Sequence, residues 1–182
     1  MDLGDSTVVD YLHELDSQAE RIKIKVLLLG PNTDTESPGA KLRKYIATNC
    51  AGHRTAIRGE RKDLIAAFKK VMGSKYFDLC SYEQSLAETV DALIIIPASA
   101  GSLVELGLFA LSENIHPKTL VLFNCLYEED DSPTFIKLGP KLSYDIRGAT
   151  VMTVDYLDKE GIWNIVNDFL LKRRAIKFSK KR

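Results

Sequence analysis

An excess of charge of either sign is missing from this sequence. Its 182 residues contain 25 Lys and Arg against 25 Asp and Glu, so the formal net charge is zero at pH 7. Bulk charge therefore cannot bind polyanions, and any contact with nucleic acid must be local. The hydrophobic fraction of 45% is that of a globular chain, which excludes a disordered or fibrous protein. At this length we expect one compact domain rather than a two-domain enzyme.

Long hydrophobic runs are missing too. The longest, residues 26–29 and 92–96, are strand-sized and far below the roughly 18 residues of a membrane-spanning helix. Residues 1–20 contain acidic residues, no Lys or Arg and no apolar signal segment. The three cysteines are widely spaced and form no C-x-x-C pair, as is typical of reduced thiols. We therefore expect a cytoplasmic protein with no membrane contact, no metal site and no cofactor.

Several nucleotide-binding and hydrolase motifs are absent as well. There is no G-x-x-x-x-G-K-[ST] loop, no G-x-G-x-x-G after the first apolar strand and no G-x-S-x-G elbow. These absences argue against a P-loop NTPase, a dinucleotide-binding oxidoreductase and a serine hydrolase.

The patterns that are present alternate between strands and helices. Apolar runs predict strands at 22–29, 54–58, 92–96, 119–124 and 149–154, of which the second is the weakest. Helical spacing predicts helices at 6–20, 38–49, 63–71, 81–90, 101–111 and 159–174, the fourth of them opened by a capping box of Ser81 and Gln84. Strands that are apolar on both faces and separated by helices predict a covered parallel sheet. The expected fold class is therefore α/β, with a doubly wound, Rossmann or flavodoxin-like parallel sheet of about five strands.

The same patterns divide the chain into three parts. Residues 1–21 are expected to form an N-terminal helix packed on the domain, residues 22–171 the α/β domain and residues 172–182 a basic tail. Seven of the last eleven residues are basic. Such a patch could meet phosphates, although a solvated helix end explains it as well.

Ligands of doubly wound sheets bind beyond the carboxyl ends of the strands. The loop after the first strand contains Gly30, Pro31 and Asn32, and Glu60 follows the second strand. Glu60 could bind a ribose hydroxyl, or it could simply help to start the next helix. Asn124, which ends the fourth predicted strand, has the same two interpretations.

The most informative stretch is PASAGSLVELGLFA, residues 97–110. A turn rich in Gly and Ser lets backbone N–H groups approach a ligand, and the helix N-terminus favours an anion or an electron-rich ribose. Gly101 and Ser102 would form this cradle, with Ser99 beside them. Glu105 is the only charged residue from position 97 to position 112. An isolated carboxylate on an apolar helix requires an explanation.

Two explanations of Glu105 remain open from the residues alone. Ser102 and Glu105 have the spacing of a capping box, in which the Glu only closes the helix end. Alternatively, the helix dipole keeps the carboxylate ionised while apolar neighbours exclude water, which produces a nucleophile or an electrostatic stabiliser. The chemistry that fits is the cleavage of a glycosidic bond. One carboxylate suffices where the leaving group departs easily, as nicotinamide does.

Four segments carry a family resemblance. They are the strand and loop at 24–30, LAETVDALIIIP at 86–97, the pattern P-x-S-x-G-S-x-x-E-L-G-x-F at 97–109, and F-I-x-x-G-P at 135–140. Together they resemble the nucleoside deoxyribosyltransferase-like effectors encoded beside retron reverse transcriptases in bacterial anti-phage systems. The resemblance covers about residues 22–155. Those effectors continue into a region that resembles a winged helix, whereas this sequence ends in the basic segment.

The resemblance implies an N-glycosidase in which Glu105 attacks or stabilises the anomeric carbon of NAD or a related nucleotide or nucleoside, with a toxic result. Gly30, Pro31, Gly101 and Ser102 would hold the ribose or the phosphates. The alternative is a nucleotide-binding sensor of the same fold that does not cleave its ligand. The expected partners are a second copy, since the predicted helix 101–111 is apolar on nearly all sides, and a retron reverse transcriptase or nucleic acid at the basic tail.

Overall fold

Five parallel strands form the central sheet of the computed structural model, which describes residues 17–18, 21–52, 54–126 and 137–180. The strands are β1 (Ile24–Leu29), β2 (Arg54–Ile57), β3 (Ala92–Ile95), β4 (Thr119–Asn124) and β5 (Thr150–Val154). Their order across the sheet is β2-β1-β3-β4-β5. This arrangement confirms the predicted doubly wound α/β fold, including the weak second strand.

The helices cover both faces of this sheet. They are α1 (Pro38–Asn49), α2 (Lys62–Met72), α3 (Leu79–Thr89), α4 (Ala100–Phe109), α5 (Leu142–Ile146) and α6 (Lys159–Ser179). Short 3-10 turns lie at Ser74–Tyr76 and His116–Lys118, and a π-helical turn at Lys137–Lys141 leads into α5. Of the four fixed residues of the F-I-x-x-G-P motif, Gly139 and Pro140 fall within the described residues and Phe135 and Ile136 do not.

Strand β1 divides the hydrophobic core in two, because successive side chains of a strand point to opposite faces. Ile24, Val26 and Leu28 pack in the core beneath α1 and α6. Leu27 and Leu29 pack in the other core, with residues of α3, α4 and α5. All five side chains are buried. An apolar run without alternation therefore marks a strand that is covered on both sides.

The loops after β1 and β3 touch at the point where the strand order reverses. The amide of Ile96 donates a hydrogen bond to the Leu29 carbonyl (3.0 Å). A side chain at Gly30 would place its Cβ 3.1 Å from the Ile96 Cβ and 3.3 Å from the Ile96 carbonyl oxygen. Only glycine permits this approach without displacing one of the two loops. A cleft opens beyond this contact, as doubly wound folds lead one to expect.

Helix α4 ends at Phe109, two residues before the predicted end, and the start of α3 also differs from the prediction. Helix α3 begins at Leu79 and not at Ser81, because the Asp78 carboxylate accepts a hydrogen bond from the Ser81 amide (2.7 Å) and acts as the N-cap. Gln84 therefore does not close a capping box. Its side-chain amide donates instead to Glu88 (3.1 Å) and to Ser112 (3.2 Å).

The closing helix is longer than the sequence predicts. Helix α6 continues to Ser179, past the predicted end near residue 174, so most of the basic segment is helical. Arg173 donates to the carbonyls of Asp91 (3.0 Å) and Pro117 (3.0 Å), and Lys177 donates to the Lys23 carbonyl (2.9 Å) and the Asp91 carboxylate (2.8 Å). These contacts hold the last turns against the amino-terminal edge of the sheet. Binding of nucleic acid by this segment stays a prediction.

The remaining expectations concern the N-terminal segment, the membrane and the thiols. The predicted helix 6–20 lies outside the described residues except for positions 17–18, which are helical. In the ranges that the structure describes, no helix has the length and apolarity needed to cross a membrane. The three cysteines are free thiols, as predicted.

Candidate active site

A cavity of about 540 Å³ lies beyond the carboxyl ends of β1, β2 and β3. Seven of the nine predicted site residues line it, together with four residues that were not predicted. The predicted ones are Gly30, Asn32, Glu60, Ser99, Gly101, Ser102 and Glu105; the others are Asp34, Arg43, Lys62 and Glu83. The cavity is therefore lined by residues of the loops after β1, β2 and β3 and of helices α1, α2, α3 and α4.

Pro31 and Asn124 lie outside this lining. Pro31 is buried, and its carbonyl accepts a hydrogen bond from Arg43 (3.0 Å). The side-chain oxygen of Asn124 accepts from the Leu126 amide (3.1 Å) and holds the turn that follows β4. Pro31 thus supports the cavity from behind, whereas Asn124 organises a neighbouring turn.

The turn between β3 and α4 is closed by two serines. Ser99 is the N-cap, and its hydroxyl accepts a hydrogen bond from the Ser102 amide (3.2 Å). In return, the Ser102 hydroxyl accepts from the amides of Ser99 (2.9 Å) and Ala98 (3.1 Å). The capping box is therefore Ser99 with Ser102, and the predicted box of Ser102 with Glu105 is wrong. This box does not use the N–H groups of Ala100 and Gly101, and Glu105 takes no part in capping.

Glu105 is the sixth residue of α4 and lines the cavity from its inner side. Its Oε2 atom is fully enclosed and has no hydrogen-bond partner among the described residues. The pKa of Glu105 is raised to about 8: burial is the largest cause, the charges of Glu83 and Glu60 also raise it, and Arg43 opposes them. The helix dipole was predicted to keep this carboxylate ionised, but burial raises its pKa instead. Glu105 lies beyond the first turn, where loss of water outweighs the helix dipole.

Glu83 reaches the same cavity from α3. Burial raises the pKa of Glu83, its interaction with Glu105 opposes that rise, and the charge of Glu60 adds to it. The charge of Glu83 in turn raises the pKa of Glu105. The two carboxyl groups therefore influence each other's ionisation inside one cavity.

Arg43 links the end of β1 to the loop after β2, which together form the floor of the cavity. Its guanidinium is buried and donates to the carbonyls of Leu28 (2.8 Å), Gly30 (3.1 Å) and Pro31 (3.0 Å). It also donates to the Glu60 carboxylate (2.9 Å). A planar guanidinium can satisfy several acceptors at once, so this side chain fixes the end of β1 against the loop after β2.

A signal for Arg43 and Glu83 was present in the sequence. Arg43 lies three residues before the buried Ile46 on α1, and Glu83 lies four residues before the buried Ala87 on α3. Residues three or four apart share a helix face. A charged residue on the core-facing stripe of a helix is therefore a candidate for the site.

The charges of the cavity favour a sugar over a phosphate at its inner end. Four carboxyl groups line it, against the two cations Arg43 and Lys62, and Arg43 is already paired with Glu60. Carboxylates accept hydrogen bonds from ribose hydroxyls and repel phosphates. The described residues contain no group of three His, Cys, Asp or Glu side chains that could hold a metal ion.

The fold and the cavity define a Rossmann-like α/β protein with a polar cavity where the strand order reverses. A family model described as STM3845 retron effector protein matches residues 40–181, and the chain belongs to this family of retron effectors. The predicted association with retrons is thereby confirmed. The nucleoside deoxyribosyltransferase-like placement and the glycosidase activity stay predictions.

A curated relative from Escherichia coli is 38% identical over 68 residues. Its name describes it as a candidate ribosyltransferase/DNA-binding protein of retron Ec86. The match covers 37% of this chain and 22% of that relative, so the two share only part of their length.

Proposed function

We propose that this retron effector is a nucleoside deoxyribosyltransferase-like N-glycosidase that cleaves NAD or a related nucleotide or nucleoside and poisons the cell when it is active. The observation that carries the proposal is the half-buried carboxyl group of Glu105 inside a polar cavity at the strand-order reversal. The naming of the retron Ec86 relative supports a reaction at a ribosyl carbon.

Cleavage of an N-glycosidic bond passes through a cation-like C1′ carbon. A carboxylate held in a water-poor site stabilises that charge or adds to the carbon. Glu105 suits this role because its Oε2 atom is enclosed and has no partner among the described residues. With NAD, the C1′–N bond breaks and its electron pair neutralises the nicotinamide ring. Water then adds to C1′ and releases one proton, so the products are nicotinamide and ADP-ribose.

Some of the other lining groups suit the ribose of such a substrate, and others suit its phosphates. The carboxylates of Asp34 and Glu60 can accept hydrogen bonds from ribose hydroxyls. The N–H groups at the start of α4 and the exposed Lys62 are the groups suited to phosphate. Arg43 acts through the loops it ties together and is a positioning residue.

The test is an assay of the purified 182-residue chain with NAD and with nucleosides, comparing wild type with Glu105→Gln. We expect release of the base by wild type and a loss of about 100-fold or more in the variant, the scale of a removed charge-stabilising group. Glu113→Gln is the matched control, because Glu113 is exposed and pairs with Arg147 outside the cavity. The proposal would be overturned if Glu105→Gln and Glu113→Gln turned over the substrates equally fast. It would also be overturned if folded wild-type protein left all the substrates intact.

The second candidate is a nucleotide sensor of the same fold that binds without cleaving. It is favoured by the raised pKa of Glu105, since a protonated carboxyl group is a hydrogen-bond donor and not a nucleophile. Calorimetry distinguishes the two. Tight binding of a nucleotide that stays intact over hours identifies a sensor.

A further inference from the structure

A second polar cavity lies at the amino-terminal edge of the sheet, opposite the cavity that contains Glu105. It has a volume of about 550 Å³ and is lined by residues that precede β3 and β4 and by the last turns of α6. Its charged residues are four cations and two carboxylates, namely Lys118, Arg173, Lys177 and Lys180 against Asp91 and Glu113. The Glu105 cavity has the reverse balance, with four carboxyl groups against two cations. Although the chain has no net charge, these two cavities therefore carry opposite excess charge.

The two carboxylates of the second cavity do not neutralise its cations. Asp91 accepts hydrogen bonds from the Lys177 ammonium group (2.8 Å) and from the Lys25 amide (2.8 Å). Glu113 is exposed and pairs with Arg147 at 3.5 Å. Among the charged residues that line the cavity, an excess of positive charge therefore remains.

Two of the cations are held in place by backbone carbonyl groups. The Lys118 ammonium group donates to two carbonyls at the C-terminal end of α3, at 2.7 and 3.0 Å. The Arg173 guanidinium donates to the carbonyls of Asp91 (3.0 Å) and Pro117 (3.0 Å). An ammonium group has three N–H donors and a guanidinium group has five, so both side chains have donors beyond these bonds. Cations that are already fixed lose little conformational entropy when they bind an anion.

The cations also disfavour one another's charge. Lys118 is half-buried, and burial and the charges of Arg173 and Lys180 lower its pKa, although Asp91 opposes them. Burial likewise lowers the pKa of Arg173. An anion bound between these side chains would relieve this repulsion and restore the interactions that burial removes.

The chemistry of the lining indicates which anion fits. No aromatic side chain of the described residues lines this cavity, so it offers no surface on which a base could stack. Lysine and arginine are the side chains that bind phosphate groups. Several cations within one cavity favour a ligand with adjacent phosphates over a single phosphate.

We propose that this cavity is a second ligand site, which binds a chain of adjacent phosphate groups through Lys118, Arg173 and Lys180. Two sources supply such a chain, the backbone of a nucleic acid and a free polyphosphate. The inference goes beyond the proposed function and does not depend on it, because the site lies at the other edge of the sheet from Glu105. It also favours phosphate binding over a solvated helix end as the explanation of the basic C-terminal segment.

The test is isothermal titration calorimetry of the purified 182-residue chain with inorganic triphosphate and with a short oligothymidylate. We expect Lys118→Met to weaken binding about 10-fold and Lys180→Gln, at an exposed position, about 3-fold. The affinity of wild type for the oligothymidylate should fall as the salt concentration rises. Lys172→Gln is the matched control and should bind as wild type does. Lys172 lies on the same helix and is exposed, but it does not line the cavity.

Two further measurements make the result unambiguous. Lys118 also supports the end of α3, so melting curves establish that Lys118→Met is folded, and Lys180→Gln decides the matter if it is not. Lys62→Gln removes a cation of the Glu105 cavity and should leave binding unchanged. The probe that wild type binds more tightly at the same salt concentration identifies the source of the phosphates.

Three results would overturn the inference. One is the absence of binding of either probe to folded wild-type protein. Another is equal binding by Lys172→Gln and Lys180→Gln. The third is a loss of binding in Lys62→Gln that Lys118→Met and Lys180→Gln do not share, since the phosphates would then lie in the Glu105 cavity. None of these results bears on the release of a base, which the Glu105→Gln assay measures separately.

Discussion

The Arg43 guanidinium lies 2.9 Å from the Glu60 carboxylate, in a pair where the arginine is 3% exposed and the glutamate 53%. The same guanidinium serves three backbone carbonyls at the end of β1. We predict that Arg43→Met lowers the free energy of unfolding by about 3 kcal/mol, because several buried acceptors lose their donor at once. Urea denaturation measures this change.

Lys41→Met provides the control for that measurement. Lys41 lies on the same helix and pairs with Glu36 at 2.9 Å, but both side chains are exposed. Exposed pairs contribute little to stability. If the two variants unfold at the same urea concentration, Arg43 does not hold the cavity floor as described.

The raised pKa of Glu105 predicts a dependence of stability on pH. The carboxyl group has an ordinary pKa of 4.5 in the unfolded chain and of about 8 in the folded protein. Between these values folding takes up a proton, so this group makes the protein less stable as pH rises from about 4.5 to about 8. Glu105→Gln resembles the protonated state and cannot titrate.

The variant should therefore gain stability relative to wild type across this window, and most of all above pH 8. Chemical denaturation at pH 5, 7 and 9 measures the difference between the two proteins. A difference that does not change with pH would mean that folding leaves the pKa of Glu105 unchanged, and the description of its carboxyl group as buried in the cavity would be wrong.

Sequence patterns predicted the strands because the sheet is buried on both faces. The β2 pattern was the weakest, and the structure explains why: β2 lies at the edge of the sheet and its side chains are only partly buried. The end of α6 was not predictable from local signals. Its last turns are held by Arg173 and Lys177, whose acceptors lie far away in sequence.

The site was only partly predictable for a similar reason. Glu105 is conspicuous because no other charge lies near it in sequence. Glu83 and Arg43 stand among other polar residues, so only their spacing from buried neighbours distinguishes them. The capping box was assigned one turn too late because both Ser99 and Ser102 have the residue type of a cap. Which of them caps the helix depends on where the β3 turn ends.

Apolar residues remain exposed on α4 and just after it. Val104 on α4 is 66% exposed, and Leu111, which follows α4, is 76% exposed and lines an apolar groove of about 490 Å³ between α4 and the Gly139–Pro140 turn. We predict that a second copy covers this surface, since exposed apolar patches mark contact sites. Analytical ultracentrifugation should find a dimer or larger assembly that Leu111→Glu dissociates. Val71→Glu is the control, because Val71 on α2 is 82% exposed and does not line this groove. A wild-type monomer at micromolar concentration would contradict the prediction.

Alanine substitutions at two glycines should have different effects, because Gly39 packs behind the cavity wall and Gly101 lines the cavity itself. A Cβ at Gly39 would lie 2.7 Å from the Ala98 Cβ, so Gly39→Ala must push the β3–α4 turn away from α1. A Cβ at Gly101 would meet nothing within 4 Å, although Gly101 lines the cavity. Gly101→Ala should therefore keep or raise the melting temperature, because alanine favours the helix. It should also raise KM, because its methyl group takes up space meant for the substrate. Gly39→Ala should lower the melting temperature. If Gly101→Ala binds and cleaves like wild type, the substrate does not approach the start of α4.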